Sequence, residues 1–99
     1  DLDTNSWANM NPVAAPPPRD QHAVAYDSQS DRTILFGGFT SGSAFGDTWA
    51  YDLETNAWTD MAPATRPPAR VGGQLVYDVK SDLLILFGGH RVDGGSNLI

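Results

Sequence analysis

Histidines, cysteines and grouped carboxylates are the side chains that most often perform catalysis or hold a metal, and this sequence offers few of them. Its two histidines, His22 and His90, lie 68 residues apart and belong to no recognised metal-ligand spacing. It contains no cysteine, which excludes thiol catalysis and cysteine-based metal sites. The sequence therefore predicts no catalytic residue, no metal site and no cofactor.

The stretch DLDTN at residues 1–5 begins like a calcium-binding loop, with side-chain oxygens at alternate positions. An EF-hand loop would continue with glycine and end with glutamate, where this sequence has Ser6 and Pro12. A similar stretch at residues 52–56 fits a hairpin turn better than a metal loop. We therefore expect turns, not calcium sites, at both places.

These two stretches belong to an internal repeat. The segment RTILFGG at residues 32–38 returns as LLILFGG at residues 83–89. A shift of 51 residues aligns the two copies without a gap, and about 19 of the 48 overlapping positions are identical. Repeats of roughly 20 to 50 residues indicate stacked supersecondary units, because a single unit cannot bury its apolar face alone.

Recurrence also bears on side chains that would otherwise suggest a ligand site. The three tryptophans could form a sugar-stacking surface, but Trp7 and Trp58 occupy the same repeat position. Packing between units demands such recurrence, so we predict that both lie in the core. Arg19 and Arg70 follow proline-rich segments and could bind an acidic ligand, yet they too recur at the repeat spacing.

Composition limits the classes of partner. The net charge of −6 argues against nucleic acid, whose binding depends on clustered lysine and arginine. No apolar run approaches the roughly 20 residues of a membrane-spanning helix. The first residues do not resemble a signal peptide, and a mature or trimmed segment remains open. A chain of 99 residues is at most one small domain.

Short strands separated by turn residues account for one period of the repeat. We predict strands at residues 22–26, 33–37, 47–52 and 57–61. Gly/Ser-rich residues 38–46 and proline-rich residues 62–70 are predicted as loops. No stretch shows the helical apolar period, so the chain is predicted to be all-β. The TILF and LLILF strands are apolar on both faces, which predicts that both faces are covered.

With these elements assigned, the chain resembles the kelch repeat over essentially its whole length. The family pattern is an arginine after a proline-containing loop, a strand often carrying histidine, an apolar strand ending in Gly-Gly, and then a tyrosine and a tryptophan. The matching residues are Arg19, His22, Gly37, Gly38, Tyr51 and Trp58, with Arg70, Gly88 and Gly89 in the second copy. Gly73 stands where the second copy would have histidine, and the sequence ends at SNLI before that copy's Trp-x-Tyr strand.

The resemblance implies a kelch-type β-propeller whose blades are four-stranded antiparallel sheets, with about two blades' worth of strands in this chain. It assigns residues 1–12 to the outer strand of a preceding blade, 19–61 to one complete blade, and 70–99 to the inner strands of a following blade. It further implies framework roles for the recurring arginines, which would bond backbone carbonyls or a carboxylate. His22 would be a hydrogen-bonded framework residue.

Function is expected on the long loops, which alternating strand directions place on one face of the blades. These loops are residues 11–21, 38–46, 62–72 and 89–97. The predicted ligand-binding residues are Phe39, Phe45, Arg66, His90 and Arg91. We expect a non-catalytic module that binds a protein or a glycan.

Two other functions stay open at this point. Galactose oxidase and some sugar epimerases have kelch-type propellers, so the chain could be part of a carbohydrate enzyme. Copper oxidase chemistry of the galactose oxidase kind needs a Tyr-Cys crosslink, which the absence of cysteine excludes within this segment. The second alternative is a structural repeat that assembles without any ligand.

A closed propeller has about 4 to 8 blades, so this chain needs further strands. They could come from more blades of a longer chain or from head-to-tail assembly of several copies, for which a trimer is the preferred expectation. The motif variant resembles kelch proteins of bacteria and archaea, many of them exported. That likeness predicts an extracellular or periplasmic location.

Overall fold

The computed structural model describes residues 1–92 of the chain. Within them the only regular elements are eight short β-strands, as the sequence predicts for an all-β chain. They are β1 (Ala23–Asp27), β2 (Arg32–Phe36), β3 (Phe39–Thr40), β4 (Ser43–Ala44), β5 (Thr48–Asp52), β6 (Ala57–Asp60), β7 (Gln74–Asp78) and β8 (Leu83–Phe87). No helix in this part of the chain is long and apolar enough to cross a membrane.

Four of the strands form one antiparallel sheet in the order β1-β2-β5-β6. The register pairs Ala23 with Phe36, Ile34 with Ala50, and Tyr51 with Trp58. Successive strands are therefore neighbours, which is the arrangement of a propeller blade. The sheet covers the four strands predicted between residues 22 and 61, with bounds that differ by at most one residue.

The three hairpin turns at one end of the sheets share one hydrogen-bonding pattern. A tyrosine hydroxyl near the end of one strand donates to a side-chain oxygen five residues later: Tyr26 to Asp31, Tyr51 to Asn56 and Tyr77 to Asp82. The three acceptor residues have φ between 53° and 58°, in the left-handed region that Asp and Asn tolerate best. The repeated Tyr-Asp pair and the Asp or Asn five residues after the tyrosine thus specify the turns. We call this end of the molecule the turn face (residues 27–32, 52–57 and 78–83).

The core lies along β2. Ile34, Leu35 and Phe36 are all buried, and Ile34 and Phe36 lie on one face of the strand against apolar side chains of β7 and β8. Burying an aliphatic or aromatic side chain stabilises a fold by about 1.5–3 kcal/mol. The prediction that this apolar strand is covered on both faces is confirmed. Ala23, Ala50 and Val71 complete the buried apolar set.

The second unit consists of β7 and β8 alone in the described residues, and it packs beside β1. The pKa of Tyr77 is raised, first because its hydroxyl donates to Asp82, and further because of partial burial and the nearby carboxylate of Asp27 in β1. A tyrosine of one sheet thus lies beside a carboxylate of the other.

Coverage of both faces was also predicted for β8, and there the prediction is wrong. Ile85 is 50% exposed and Phe87 is 80% exposed, whereas their repeat equivalents Ile34 and Phe36 are 8% and 5% exposed. The physical reason is that Ile34 and Phe36 lie against apolar side chains of β7 and β8, whereas no sheet among residues 1–92 packs on the corresponding face of β8. The sequence of this strand suits a covered position that the described residues do not provide.

The segment before β1 contains no strand in the structure. Its Trp7 is fully exposed, at 102%, so the prediction that this tryptophan lies in the core is wrong for the described chain. The cause is the same, since no sheet packs against residues 1–12. The early part of the segment is linked to the four-stranded sheet where the Asn56 side-chain amide donates to the carbonyl of Met10 at 2.6 Å. The division into residues 1–12, 19–61 and 70–99 stays a prediction.

Trp58 occupies the equivalent position in β6 and is half-buried. Its ring packs against that of Tyr51, with centroids 5.0 Å apart and planes tilted by 46°. The predicted packing role is therefore confirmed for this tryptophan in weaker form, because β6 is the outer strand of its sheet.

Candidate functional site

The long loops meet at the end of the sheets opposite to the turn face. The backbone amide of Gly38 donates to the carbonyl of Arg70 at 3.0 Å, and the backbone amide of Arg70 donates to the carbonyl of Phe45 at 3.3 Å. The amide of Gly72 donates to Gln21 at 2.9 Å. These bonds join segments from both sheets into one surface, which we call the loop face (residues 17–22, 37–47, 66–73 and 88–92).

Paired glycines permit this close approach of backbones. Gly38 has φ of 110°, and a Cβ added to it would lie 2.8 Å from the carbonyl oxygen of Asp20. Gly37 has φ of 73°, and a Cβ there would lie 2.8 Å from the carbonyl oxygen of Arg70. Only glycine satisfies both the backbone conformation and the space. The Gly-Gly pair of the repeat therefore fixes the geometry of the loop face.

Residues 38–46 were predicted to be a plain loop, and the structure corrects this. Phe39 and Thr40 of β3 pair with Ser43 and Ala44 of β4 in a small hairpin. Phe39 also exchanges backbone hydrogen bonds with Asp20, at 2.8 and 3.1 Å. The loop is thus tied both to itself and to the segment that enters β1.

Arg19 holds the centre of the loop face together. Its side chain is only 3% exposed and makes a bidentate ion pair with Asp47, at 2.6 and 2.9 Å. The same guanidinium donates to the carbonyl of Gly37 at 3.1 Å, and its carbon lies 3.7 Å from the centre of the Phe45 ring. The guanidinium thus makes both a bidentate ion pair in its plane and a stacking contact on its flat face, the two kinds of contact that its planar geometry favours. Arg19 is therefore a framework residue, as predicted.

The carboxylate of Asp47 is equally engaged, because it also accepts a hydrogen bond from Trp49 Nε1 at 2.7 Å. Partial burial acts to raise the pKa of Asp47, but the hydrogen bonds from Arg19 and Trp49 and the arginine's charge outweigh it. The pKa of Asp47 therefore lies below its ordinary value of 3.8, and the group is ionised at neutral pH.

Arg70 repeats most of the Arg19 contacts in the second unit. Its Nε donates to the carbonyl of Pro68 at 3.2 Å, and one terminal nitrogen donates to Gly88 at 3.2 Å. Arg19 makes the matching bonds to Pro17 and Gly37. The framework role predicted for Arg70 is confirmed. His22 departs from its expected framework role, since it is exposed and its side chain makes no hydrogen bond within residues 1–92.

An open groove of about 580 Å³, which we call the main groove, runs between two connecting segments on the loop face. One wall is formed by residues 44–47 and the other by residues 66–69. A second groove, of about 290 Å³, adjoins it and shares Ala44, Pro68 and Ala69. A third, of about 260 Å³, lies between residues 18–20 and 39–41.

The predicted ligand-binding residues are distributed over these grooves. Arg66 and Phe45 line the main groove, Arg91 lines the second, and Phe39 lines the third. His90 is exposed near them, with its backbone bridged to Val71, and it lines none of the three grooves. Residues 93–97 of the last predicted loop lie outside the described residues. The ligand-binding role of all five side chains stays a prediction.

Sequence reasoning missed the groove walls themselves. The walls include Pro67, Pro68 and Ala44, whose side chains carry no charged or hydrogen-bonding group that would indicate a binding site in the sequence. Phe45 was predicted as a ligand-binding side chain, and its ring is half-buried against Arg19. Across residues 1–92, no group of three His, Asp or Glu side chains is arranged to hold a metal ion.

The antiparallel four-stranded sheet, the Gly-Gly strand ends and the recurring arginine clamp define a kelch-type propeller blade. The chain belongs to the kelch-repeat family. All of residues 1–99 match the KLHDC2/KLHL20/DRC7 Kelch-repeats domain. The resemblance read from the sequence is thereby confirmed.

Curated relatives agree with this assignment. Dynein regulatory complex subunit 7 of Chlamydomonas reinhardtii is 36% identical across 94% of this chain. Kelch domain-containing protein 10 of Homo sapiens is 37% identical across 73% of it, and acyl-CoA-binding domain-containing protein 5 of Arabidopsis thaliana is 29% identical across all of it. The matched regions amount to 8%, 17% and 15% of those proteins, so the chain spans only a small part of their length.

Proposed function

We propose that this chain is part of a non-catalytic kelch propeller that binds a protein through its loop face. The observation that carries the proposal is the main groove, whose walls come from the chain before β5 and the chain between β6 and β7 and are held by backbone hydrogen bonds. A groove on a rigid scaffold suits recognition, because little conformational entropy is lost when a partner is bound.

The relatives support a binding role in general terms. One of them is, by its name, a subunit of the dynein regulatory complex, and another is named for its kelch domain. Because the matched regions are small parts of those proteins, their own activities and partners do not transfer to this chain.

The aromatic side chains favour a protein over a glycan. Sugar binding usually relies on exposed aromatic faces, but the ring of Phe45 packs against Arg19 and the indole of Trp49 donates to Asp47. The groove instead presents proline and alanine surfaces with one arginine, Arg66. Such walls suit an extended peptide segment.

The proposal is tested by selecting random displayed peptides on the chain and measuring their affinity for two tryptophan variants. Ala44→Trp places a bulky side chain in the groove and is expected to abolish binding. Val79→Trp is the control, because Val79 is 68% exposed on the turn face, and it is expected to bind as the unmodified chain does. Binding that survives Ala44→Trp, or a selection that yields no peptide, contradicts the proposal.

The exposed edge of β8 supports a second part of the proposal, namely that further strands complete this blade. An uncovered apolar strand edge invites pairing, and native proteins avoid such edges. The strands come either from further blades of a longer chain or from a second copy placed head to tail, with three copies preferred for a closed ring.

The Asn56 bond to Met10 indicates how a second copy would fit. Asn5 has the same left-handed conformation as Asn56, and Met61 is the repeat equivalent of Met10. In a head-to-tail pair, Asn5 of one copy would thus face the Met61 carbonyl of its neighbour. Light scattering checks this: a folded monomer of 10.6 kDa contradicts assembly from copies, and loss of an oligomer in Asn5→Ala supports it. An extracellular or periplasmic location remains part of the proposal.

A further inference from the structure

The loop face differs in charge from the rest of this acidic chain. Of its four arginines, Arg19 and Arg70 are turned inward and bond backbone or Asp47. Arg66 and Arg91 are exposed on groove walls. Within the described residues, the side chain of Arg66 makes no hydrogen bond or ion pair. The main groove therefore has a cation that is free to bind a ligand.

The one acidic side chain in the same groove does not cancel that charge. Both carboxylate oxygens of Asp47 accept hydrogen bonds from Arg19, and one also accepts from Trp49. The ion pair of Asp47 with Arg19 is internally neutral. A ligand in the groove thus meets the positive charge of Arg66 above apolar walls.

The turn face has the opposite character. Its carboxylates are Asp27, Asp31, Asp52, Glu54, Asp78 and Asp82, and its cations are Arg32 and Lys80. Arg32 is already paired with Asp52 at 3.3 Å. A negatively charged segment is therefore repelled from the turn face and attracted to the loop face, which orients its approach.

The walls of the groove define the neighbouring part of the ligand. Pro67 and Pro68 stand on one side, and Ala44 and Gly46 on the other. None of these side chains offers a hydrogen-bonding group, so an apolar ligand residue suits this part of the groove. We propose that the main groove binds an extended peptide segment in which an Asp or Glu side chain pairs with Arg66 and an apolar residue contacts Pro67 and Pro68; this rests on the proposed function.

The test uses the strongest peptide from the random selection, made in two forms. One form keeps its Asp and Glu residues, and the other has Asn and Gln in their place. For the unmodified chain we expect the amide form to bind about fivefold more weakly, the size typical of a solvent-exposed ion pair. Raising the salt concentration should narrow the difference, because exposed charges are screened.

Arg66→Ala should remove the difference in affinity between the acidic and the amide form of the peptide. Arg66→Lys should restore part of that difference. Lys80→Ala is the matched control, since it removes a cation from the turn face, and it should leave the difference unchanged. Peptides that bind in the groove, as judged by Ala44→Trp, but tolerate amidation overturn the acidic-ligand proposal alone. Failure to select any groove-binding peptide overturns this proposal together with the proposed function.

Discussion

Replacing Asp47 with Asn removes the charge that balances Arg19 at the centre of the loop face. The guanidinium would remain 3% exposed but would keep only its bonds to backbone carbonyls and one side-chain oxygen. An arginine in that position cannot lose its proton, so it stays charged and insufficiently compensated. We expect Asp47→Asn to destabilise the fold without changing its strand pairing.

The magnitude follows from the burial of the two partners. Removing one member of a buried ion pair typically costs about 3–5 kcal/mol. Here the Asp47 side chain is 23% exposed and Asn keeps one acceptor, so we expect the lower value of about 2–3 kcal/mol. Because a small domain is stable by about 5 kcal/mol or little more, this loss should be large on any unfolding curve.

Urea unfolding followed by tryptophan fluorescence measures the effect. The matched control is Asp52→Asn, which alters the single 3.3 Å contact of Asp52 with Arg32. Because the Arg32 side chain is 39% exposed, against 3% for Arg19, water can compensate its charge and the change should cost less than about 1 kcal/mol. The effect also depends on pH. Because the folded pKa of Asp47 lies below its unfolded value, its contribution is complete above that unfolded pKa and is lost as pH falls through the folded pKa. Equal midpoints for the two variants at neutral pH would refute the reasoning.

Three further changes probe other parts of the fold. Trp58→Ala should lower the free energy of unfolding by about 2 kcal/mol, because the side chain is only half-buried. Phe36→Ala should lower it by roughly 3–5 kcal/mol, as expected for a buried aromatic residue. Thermal unfolding of the two variants checks this order. Replacing residues 40–43 with a Gly/Ser linker should change the free energy of unfolding by less than about 0.5 kcal/mol. Extending the replacement through Phe45 should destabilise the fold by about 2 kcal/mol more, because it removes the ring that packs on Arg19. Similar unfolding midpoints for the two replacements would show that the ring contributes nothing. Gly38→Ala should cost at least about 2 kcal/mol, because alanine meets both a positive φ and a backbone oxygen, and an unchanged midpoint would contradict the account of the Gly-Gly pair.

The repeat made the framework of this fold predictable from sequence. The Tyr-Asp pair and the Asp or Asn that ends each turn specify the turns through local hydrogen bonds, so the hairpins around them follow from short-range chemistry. The recurrence of Arg19 and Arg70 separated framework side chains from ligand candidates, and the contacts of both bear this out. Local patterns and recurrence were sufficient wherever the partner lies in the same repeat unit.

Features that depend on a neighbouring unit could not be predicted in the same way. Trp7 has a core-like position in the repeat, but burial requires a sheet beside it, and the described residues supply none. The hairpin of β3 and β4 is too short to show alternation. The groove walls at Pro67 and Pro68 consist of side chains without chemical character, so only their placement opposite Ala44 reveals them.

The central claim is that the groove on the loop face is where this chain binds a protein. Backbone amide chemical shifts of the isotope-labelled chain, recorded with and without the selected peptide, test it most directly. The account predicts that the largest changes fall in residues 38–46 and 66–72, which form and support the groove walls. Changes concentrated in the turn face, at residues 27–32, 52–57 and 78–83, would contradict it.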